Sequence, residues 1–512
     1  MKNFLFLALI GTLLIGCNSL HSSVEESKNS EELITIKIVQ INDVYEIEPL
    51  GGGEFGGLAR VGHVRDSIKQ RFPNTFLFLA GDFLSPSLLG TIKVDGERLN
   101  GKQMIEALNA LEIDLVTFGN HEFDLKEEDL QKRLNESQFE WTSANVRQVT
   151  KNGHMPFMTN SGINTARASD YSILTAKNET GNKIKLGVFG VTLPSNPKDY
   201  VFYGDIYDDA VRAYSLASKE SDFVVGLTHV ALEEDMEIAR RIKSLPLIMG
   251  GHEHFNMLEK EGNTVIAKAD ANAKSVYVHT LIYNTSSKYL HLDSELVMIN
   301  DKVASSPKVE QVVSKWTQIL DEKLKETLDK PDSVIFYALD PLDGTDGASR
   351  GKQTNLGEII TKSMAFAYAG QVDGALVNGG SIRIDDMLEG DLTGKDIFRI
   401  LPFGGSVLKV DIKGELLVEV LDFGKEKRGT GAYLQRYNFS QNSDGKWRIG
   451  NQPISNDKSY SIAFSDFLLR GLDIPFLTPE NKGVLKIYTP KETETAGDIR
   501  KAIISYLRSL EN

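Results

Sequence analysis

Short apolar runs that stop abruptly in polar turns set the rhythm of the first half of this chain. Leu115-Val116-Thr117-Phe118 reads as a buried strand, and it breaks at Gly119 into Asn120-His121-Glu122-Phe123-Asp124. Four other runs end the same way: Ile34–Ile41 into Asn42-Asp43, Thr75–Ala80 into Gly81-Asp82, Phe223–Leu227 into Thr228-His229, and Leu247–Met249 into Gly250-Gly251-His252-Glu253-His254. A single polar turn means little, because turns favour such residues anyway. Five turns carrying oxygen and imidazole donors predict one shared site, since sheets with helical crossovers place their sites at the carboxyl ends of strands.

Between these runs lie amphipathic segments with helical spacing: Gly57–Lys69, Gln103–Leu111, Asp209–Ser218 and Glu234–Ser244. Their alternation with strands over residues 33–300 predicts a layered α/β domain, closing on antiparallel strands at Val276–Tyr283 and Tyr289–Leu292. Pro307–Leu328 carries Val309, Val312, Val313, Trp316, Ile319, Leu320 and Leu324 at helical intervals, so residues 301–330 are expected to link two domains by a helix. Residues 331–512 mix helices (Leu356–Tyr368, Gly414–Phe423) with strands (Ala375–Val377, Val407–Ile412, Tyr460–Phe464). The expected fold class is therefore a two-domain α/β (α+β) chain, and 512 residues do exceed what one core usually holds.

The first residues change the picture of where the protein works. Met1-Lys2-Asn3 is a short basic start, Phe4–Ile15 is apolar but too short to span a bilayer, and Leu14-Ile15-Gly16-Cys17 resembles the bacterial lipobox. That reading makes residues 1–17 a lipoprotein leader, with an acyl anchor on Cys17, and residues 18–32, rich in Ser and Glu, a flexible tether. The protein is then exported and lipid-anchored to a bacterial membrane, facing the periplasm or the cell surface; the other reading is a plain signal peptide with a chance cysteine. Because Cys17 is the sole cysteine, an internal disulfide and thiolate-ligated zinc or iron–sulfur sites are excluded. A net charge of -14 without a basic block argues against a nucleic-acid polymer as partner. It leaves room for an anionic small substrate, because bound cations invert the local field.

Asp43, Asp82, Asn120, His229, His252 and His254 are the candidate metal ligands. Carboxylate, amide and imidazole donors without thiolate suit Mn, Zn, Fe, Co or Mg. Of nine histidines, four fall in these strand-end turns. A carboxylate shared between two divalent ions about 3.5–4 Å apart would polarise a phosphoryl group and generate hydroxide.

In content and order, Asn42-Asp43, Gly81-Asp82, Gly119-Asn120-His121-Glu122, Thr228-His229 and Gly251-His252-Glu253-His254 resemble the motifs of calcineurin-like metallophosphoesterases. Gly119–Asp124 takes the form typical of the bacterial 5'-nucleotidase and UDP-sugar hydrolase branch. The resemblance implies a metallophosphoesterase β-sandwich flanked by helices, followed by the family's C-terminal domain. It also implies ligand roles: Asp43 and His254 on a first metal, Asp82 bridging, Asn120, His229 and His252 on a second. His121, oriented by Asp124, would then act on the phosphoryl or leaving oxygens. One position departs, because the family's Asp-x-His motif reads Asp43-Val44-Tyr45 here. A neutral phenol is a poor ligand, so Tyr45 is expected to coordinate weakly, to bind as phenolate beside two cations, or to hydrogen-bond a metal-bound water; a degenerate site is the further alternative.

In the second half, Asn378-Gly379-Gly380-Ser381-Ile382-Arg383 places glycines and a guanidinium after a strand, suited to close approach and bidentate phosphate contact. Arg350 precedes Thr354-Asn355, where Asn355 is a candidate helix cap. Phe403 and Phe467 each stand beside a turn. Singly these residues read as turn or core. Together they resemble the 5'-nucleotidase C-terminal domain, where two Phe sandwich the base, Asn378 would touch its edge, Asp473 hold ribose hydroxyls, and Arg350 and Arg383 take phosphate. The family's Gly-Gly-Asp-Gly is Gly471-Leu472-Asp473-Ile474 in this chain, which puts the ribose pocket in question. The expected function is nucleotide phosphate ester hydrolysis by a dinuclear centre with a bridging hydroxide. UDP-sugar or 2',3'-cyclic nucleotide hydrolysis on the same scaffold, or a surface lipoprotein that binds nucleotides without turnover, remain open alternatives.

Overall fold

The structure is a computed structural model that describes residues 32–161, 164–195, 197–326, 328 and 330–510; the leader and Cys17 lie outside the described residues. Two six-stranded sheets form the first domain. One contains β1 (Leu33–Ile41), β2 (Thr75–Ala80), β3 (Leu115–Thr117) and β4 (Glu140–Thr142), all parallel, extended beyond β1 by antiparallel strands Ser275–Asn284 and Leu290–Met298. The other has β5 (Lys183–Thr192), β6 (Phe223–His229) and β7 (Leu247–Gly250) in parallel at its centre.

Alternation along β1 explains the layering. Ile34, Ile36 and Ile38 point between the sheets, where they meet Phe78, Leu186, Val188, Val225, Leu227 and Met249. Val39 and Ile41 join the outer core beneath helices α1 (Leu58–Lys69) and α2 (Lys102–Leu111). Helices α3 (Ile206–Ala217) and α4 (Leu232–Arg241) cover the far face of the second sheet. The result is a helix–sheet–sheet–helix sandwich whose parallel strands all end at one edge. Register aligns those ends: Ile41 pairs with Leu79, Leu79 with Val116, Thr192 with His229 and Thr228 with Gly250.

Helix α5 (Pro307–Lys325) buries Val309, Val313, Trp316, Leu320 and Leu324 in the outer core of the first domain. Five such side chains at roughly 1.5–3 kcal/mol each bind it firmly to that body. The helix therefore belongs mechanically to the first domain, and the chain crosses over after Lys325. Lys395 staples the crossing, with Nζ 2.7 Å from Asp321, 2.9 Å from Asp332 and 3.6 Å from Glu48.

A five-stranded sheet organises the second domain, in the order Leu434–Tyr437, Gly374–Asn378, Ser459–Ser465, Val407–Lys413, Val484–Tyr488. Helices Asn355–Phe366 and Ile499–Leu510 pack on one face and Gly414–Glu426 on the other. Thr354, rather than Asn355, caps the first of these helices: its hydroxyl accepts from Gly357 N, while Asn355 Oδ1 accepts from Asp343 N.

Candidate active site

Each strand end of the sandwich delivers its side chain from a tight turn. Asp43 (φ 52°), Asp82 (φ 56°), His252 (φ 91°) and His254 (φ 63°) sit in the left-handed region, which costs a non-glycine residue of order 1–3 kcal/mol. The turns are also crowded. A Cβ on Gly119 would stand 2.0 Å from Asp82 Oδ1, and one on Gly81 2.7 Å from His229 Nδ1. Glu122 ties these loops together by accepting from the backbone N–H groups of Asp82, Phe83, Leu84 and Gly119 at 2.6–3.0 Å. Sequence reasoning placed Glu122 in the motif but missed that role.

Asp43, Asp82 and His229 converge with donor atoms within 4.8 Å of one another. His229 Nε2 lies 3.1 Å from Asp82 Oδ2 and 3.9 Å from Asp43 Oδ1, and His254 Nε2 lies 3.3 Å from Asp43 Oδ1. His252 stacks edge-on to His229, ring centroids 5.5 Å apart. Asp43 Oδ1, Asn120 Oδ1 and His229 Nε2 are buried without a hydrogen-bond partner. Buried polar atoms normally find partners, so three orphans in one cluster fit a cation. His229 Nδ1 donates to Ala80 O at 2.8 Å and His254 Nδ1 to Asp385 O, which leaves both Nε2 atoms facing the carboxylates.

Electrostatics mark the same cluster. Burial favours neutral imidazoles, but Asp82 and Asp43 lift His229 to about 9, and Asp385 and Asp43 lift His254 to about 10. Burial would raise Asp43, yet His254 and His229 hold its carboxyl well below the usual range. Protons are drawn to where a divalent ion would supply the positive charge instead. Burial and the neighbouring His229 push His252 down to about 4, keeping it neutral and ligand-ready.

Tyr45 occupies the position of the missing histidine. Its hydroxyl stands 3.0 Å from His254 Nε2 and 3.3 Å from Asp82 Oδ2, and burial followed by Asp82 raises its pKa well above 10. In this environment Tyr45 is a neutral phenol within hydrogen-bonding distance of His254 and Asp82. His121 lies beside the cluster with Nδ1 2.9 Å from Asp124 Oδ2. Burial disfavours its cation, but Asp124 and Asp82 outweigh burial and hold the imidazolium at neutral pH.

A cleft of about 760 Å³ opens from this point into the second domain, and Arg350, Asn378, Arg383, Phe403, Phe467 and Asp473 all line it. Asp124 reaches it from the first domain, accepting from Arg383 Nη2 at 2.6 Å. Asn378 Nδ2 donates to Asp473 Oδ2 at 2.7 Å and Arg350 Nη2 pairs with Asp346 at 2.6 Å. Phe403 is 58% exposed, more than a core aromatic would be and right for a stacking platform. In the Gly471–Ile474 stretch, Gly471 has a left-handed φ of 68°, Leu472 points to solvent and Ile474 is buried. The sequence reading missed Arg98, Lys198 and Arg470 on the cleft wall and Asp385 at the metal cluster; isolated charges outside any motif gave no signal.

Residues 36–256 match the family described as calcineurin-like phosphoesterase, and residues 335–478 match the 5'-nucleotidase C-terminal domain. The chain is 25% identical to the 5'-nucleotidase of Bos taurus over 475 residues, covering 82% of this chain and 78% of that protein. It is 23% identical to the NAD 5'-nucleotidase of Haemophilus influenzae, covering 88% and 86%. The crystal structure of a 5'-nucleotidase precursor from Thermus thermophilus shares the fold, with a TM-score of 0.65 at 23% identity, covering 93% of this chain and 96% of that one.

Proposed function

The chain belongs to the 5'-nucleotidase family of calcineurin-like phosphoesterases and hydrolyses nucleotide phosphate esters, and from that premise we propose how its residues divide the work. Asp43 and His254, with Tyr45 alongside, would hold a first divalent cation, Asn120, His229 and His252 would hold a second, and Asp82 would serve both. When bound, such ions supply Lewis acidity and a nucleophile at neutral pH. The orphaned donors Asp43 Oδ1, Asn120 Oδ1 and His229 Nε2 carry this reading.

The protein's own groups do the rest. His121, kept protonated by Asp124, presents Nε2–H to phosphoryl or leaving-group oxygen, where charge grows in the transition state. Arg383 and Arg350 receive phosphate, exchanging their present carboxylate partners for it. Phe403 and Phe467 sandwich the base, with Asn378 at its edge and Asp473 at the ribose. Stacking accepts any base, so broad nucleobase use is expected. Residues 33–300 and 331–512 act as catalytic and substrate-reading domains across the segment 301–330. Export and an acyl anchor on Cys17 place the enzyme at a membrane surface; among the described residues no helix is long and apolar enough to cross one.

The test is hydrolysis of an aryl phosphate and a nucleotide panel with Mn, Zn, Co, Fe or Mg. Phosphate release abolished by EDTA and restored by one or more of these ions is the expected result. A protein that binds nucleotide yet releases no phosphate with any of them would instead be a binding lipoprotein.

A further inference from the structure

Asp385 brings a second-domain carboxylate into the first-domain metal cluster. Its Oδ2 lies 3.4 Å from His254 Nε2 and 3.5 Å from His121 Nε2, with the side chain 12% exposed. Its backbone holds φ 44°, a left-handed strain like that of Asp43 and Asp82. Oδ1 is aimed by accepting from Asp346 N at 2.6 Å, and the main-chain carbonyl accepts from His254 Nδ1. The flanking residues fasten the same turn to the first domain: Asp386 to Lys274 Nζ at 2.8 Å, Arg383 to Asp124 at 2.6 Å.

The spacing around His254 Nε2 is informative. Tyr45 Oη stands 3.0 Å away, Asp43 Oδ1 3.3 Å and Asp385 Oδ2 3.4 Å. Charge-assisted hydrogen bonds would close to about 2.7–2.9 Å. Donors bound at about 2.1 Å to one ion, at angles between square and tetrahedral, stand roughly 3.0–3.4 Å apart. Tyr45 leaves that ion short of a strong ligand, and a carboxylate suits the same hard cations.

We propose that Asp385 is a ligand of the first cation, replacing from the second domain the donor that Tyr45 fails to provide, so that this site is complete only when the two domains are closed. The proposal rests on the two-cation reading above. Cation binding and domain closure then favour each other by the same factor, as linkage requires.

The experiment measures Mn content and affinity of the full chain by chelator competition. The wild type is expected to hold two ions, and Asp385→Ala to lose affinity for one of them by about 10-fold or more while keeping the other. Tyr45→His in the Asp385→Ala background should restore the lost affinity. Melting temperatures in EDTA separate ligand loss from misfolding; if Asp385→Ala fails to fold, Asp385→Asn, which keeps the shape, carries the comparison and should bind the same ion more weakly. Two ions at wild-type affinity in the variant that folds would overturn the proposal, whether turnover is unchanged or faster, as would a Tyr45→His background that folds but regains nothing. A wild-type protein that takes up no cation would overturn the two-cation reading itself.

Discussion

At the metal cluster, the ligand atoms Asp43 Oδ1, Asn120 Oδ1 and His229 Nε2 are buried without a hydrogen-bond partner, whereas in the cleft the terminal donors of Arg350, Arg383 and Asn378 hold Asp346, Asp124 and Asp473, and of their buried side-chain atoms only the two guanidinium Nε are left unbonded. The first region is locked by loops that Glu122 and crowded glycines pin in place. The second is open, with Phe403 mostly in solvent. On the proposed assignment, chemistry common to every substrate lies in the rigid part, and selection among substrates in the part whose contacts would be exchanged on binding. Preorganisation is strongest where charge develops in the transition state.

This contrast can be broken most forcefully at Asp82. Asp82→Ala is expected to cut kcat at least roughly 10³-fold with every substrate, since a polarising cation supplies several kcal/mol, and to lower cation content; a nucleotide-only defect would erase the division. His121→Ala should reduce kcat about 10²–10³-fold on nucleotides and aryl phosphates alike, with two ions still bound by elemental analysis. Phe403→Ala should raise KM for nucleotides about 5- to 150-fold, the roughly 1–3 kcal/mol of one stacking partner, and leave aryl phosphate kinetics unmoved. Equal losses on both substrates would place Phe403 in the common chemistry.

The mildest effect concerns acid. The second domain contains none of the nine histidines, while the first buries His279 against Gln40 and Ser294, and burial pushes its pKa down to about 3. The unfolded chain, with an ordinary pKa of 6.5, binds this proton more readily between those values. The contribution of His279 to stability is therefore full above about pH 6.5 and declines as pH falls towards 3. The urea-midpoint advantage of the wild type over His279→Gln should shrink from pH 7 to pH 5.

The parallel strands, the helices between them and all six proposed ligands could be read from the sequence because ligand and strand end are local in the chain. The six cleft residues needed a family resemblance, since a Phe or Arg beside a turn carries no signature until distant segments meet. Asp385 was illegible for that reason: Asp385-Asp386 looks like a solvated turn, and only docking of the second domain carries it to His254. Helix α5 was expected to link the domains, and its apolar stripe alone does not say which body it packs on. Asn355 was the expected cap, but Thr caps nearly as well as Asn, and the structure uses Thr354 one residue earlier.

Asp43, Asp82, His252, His254 and Asp385 share a positive φ, and the non-glycine residues that tolerate it best are Asn, Asp and His. Those are also the residues that coordinate hard and borderline cations. Backbone tolerance and ligand chemistry thus allow the same small alphabet at these five positions. Exchanges within that alphabet can retune ion preference without refolding a loop, while a β-branched or bulky newcomer is rejected by the main chain before its chemistry matters.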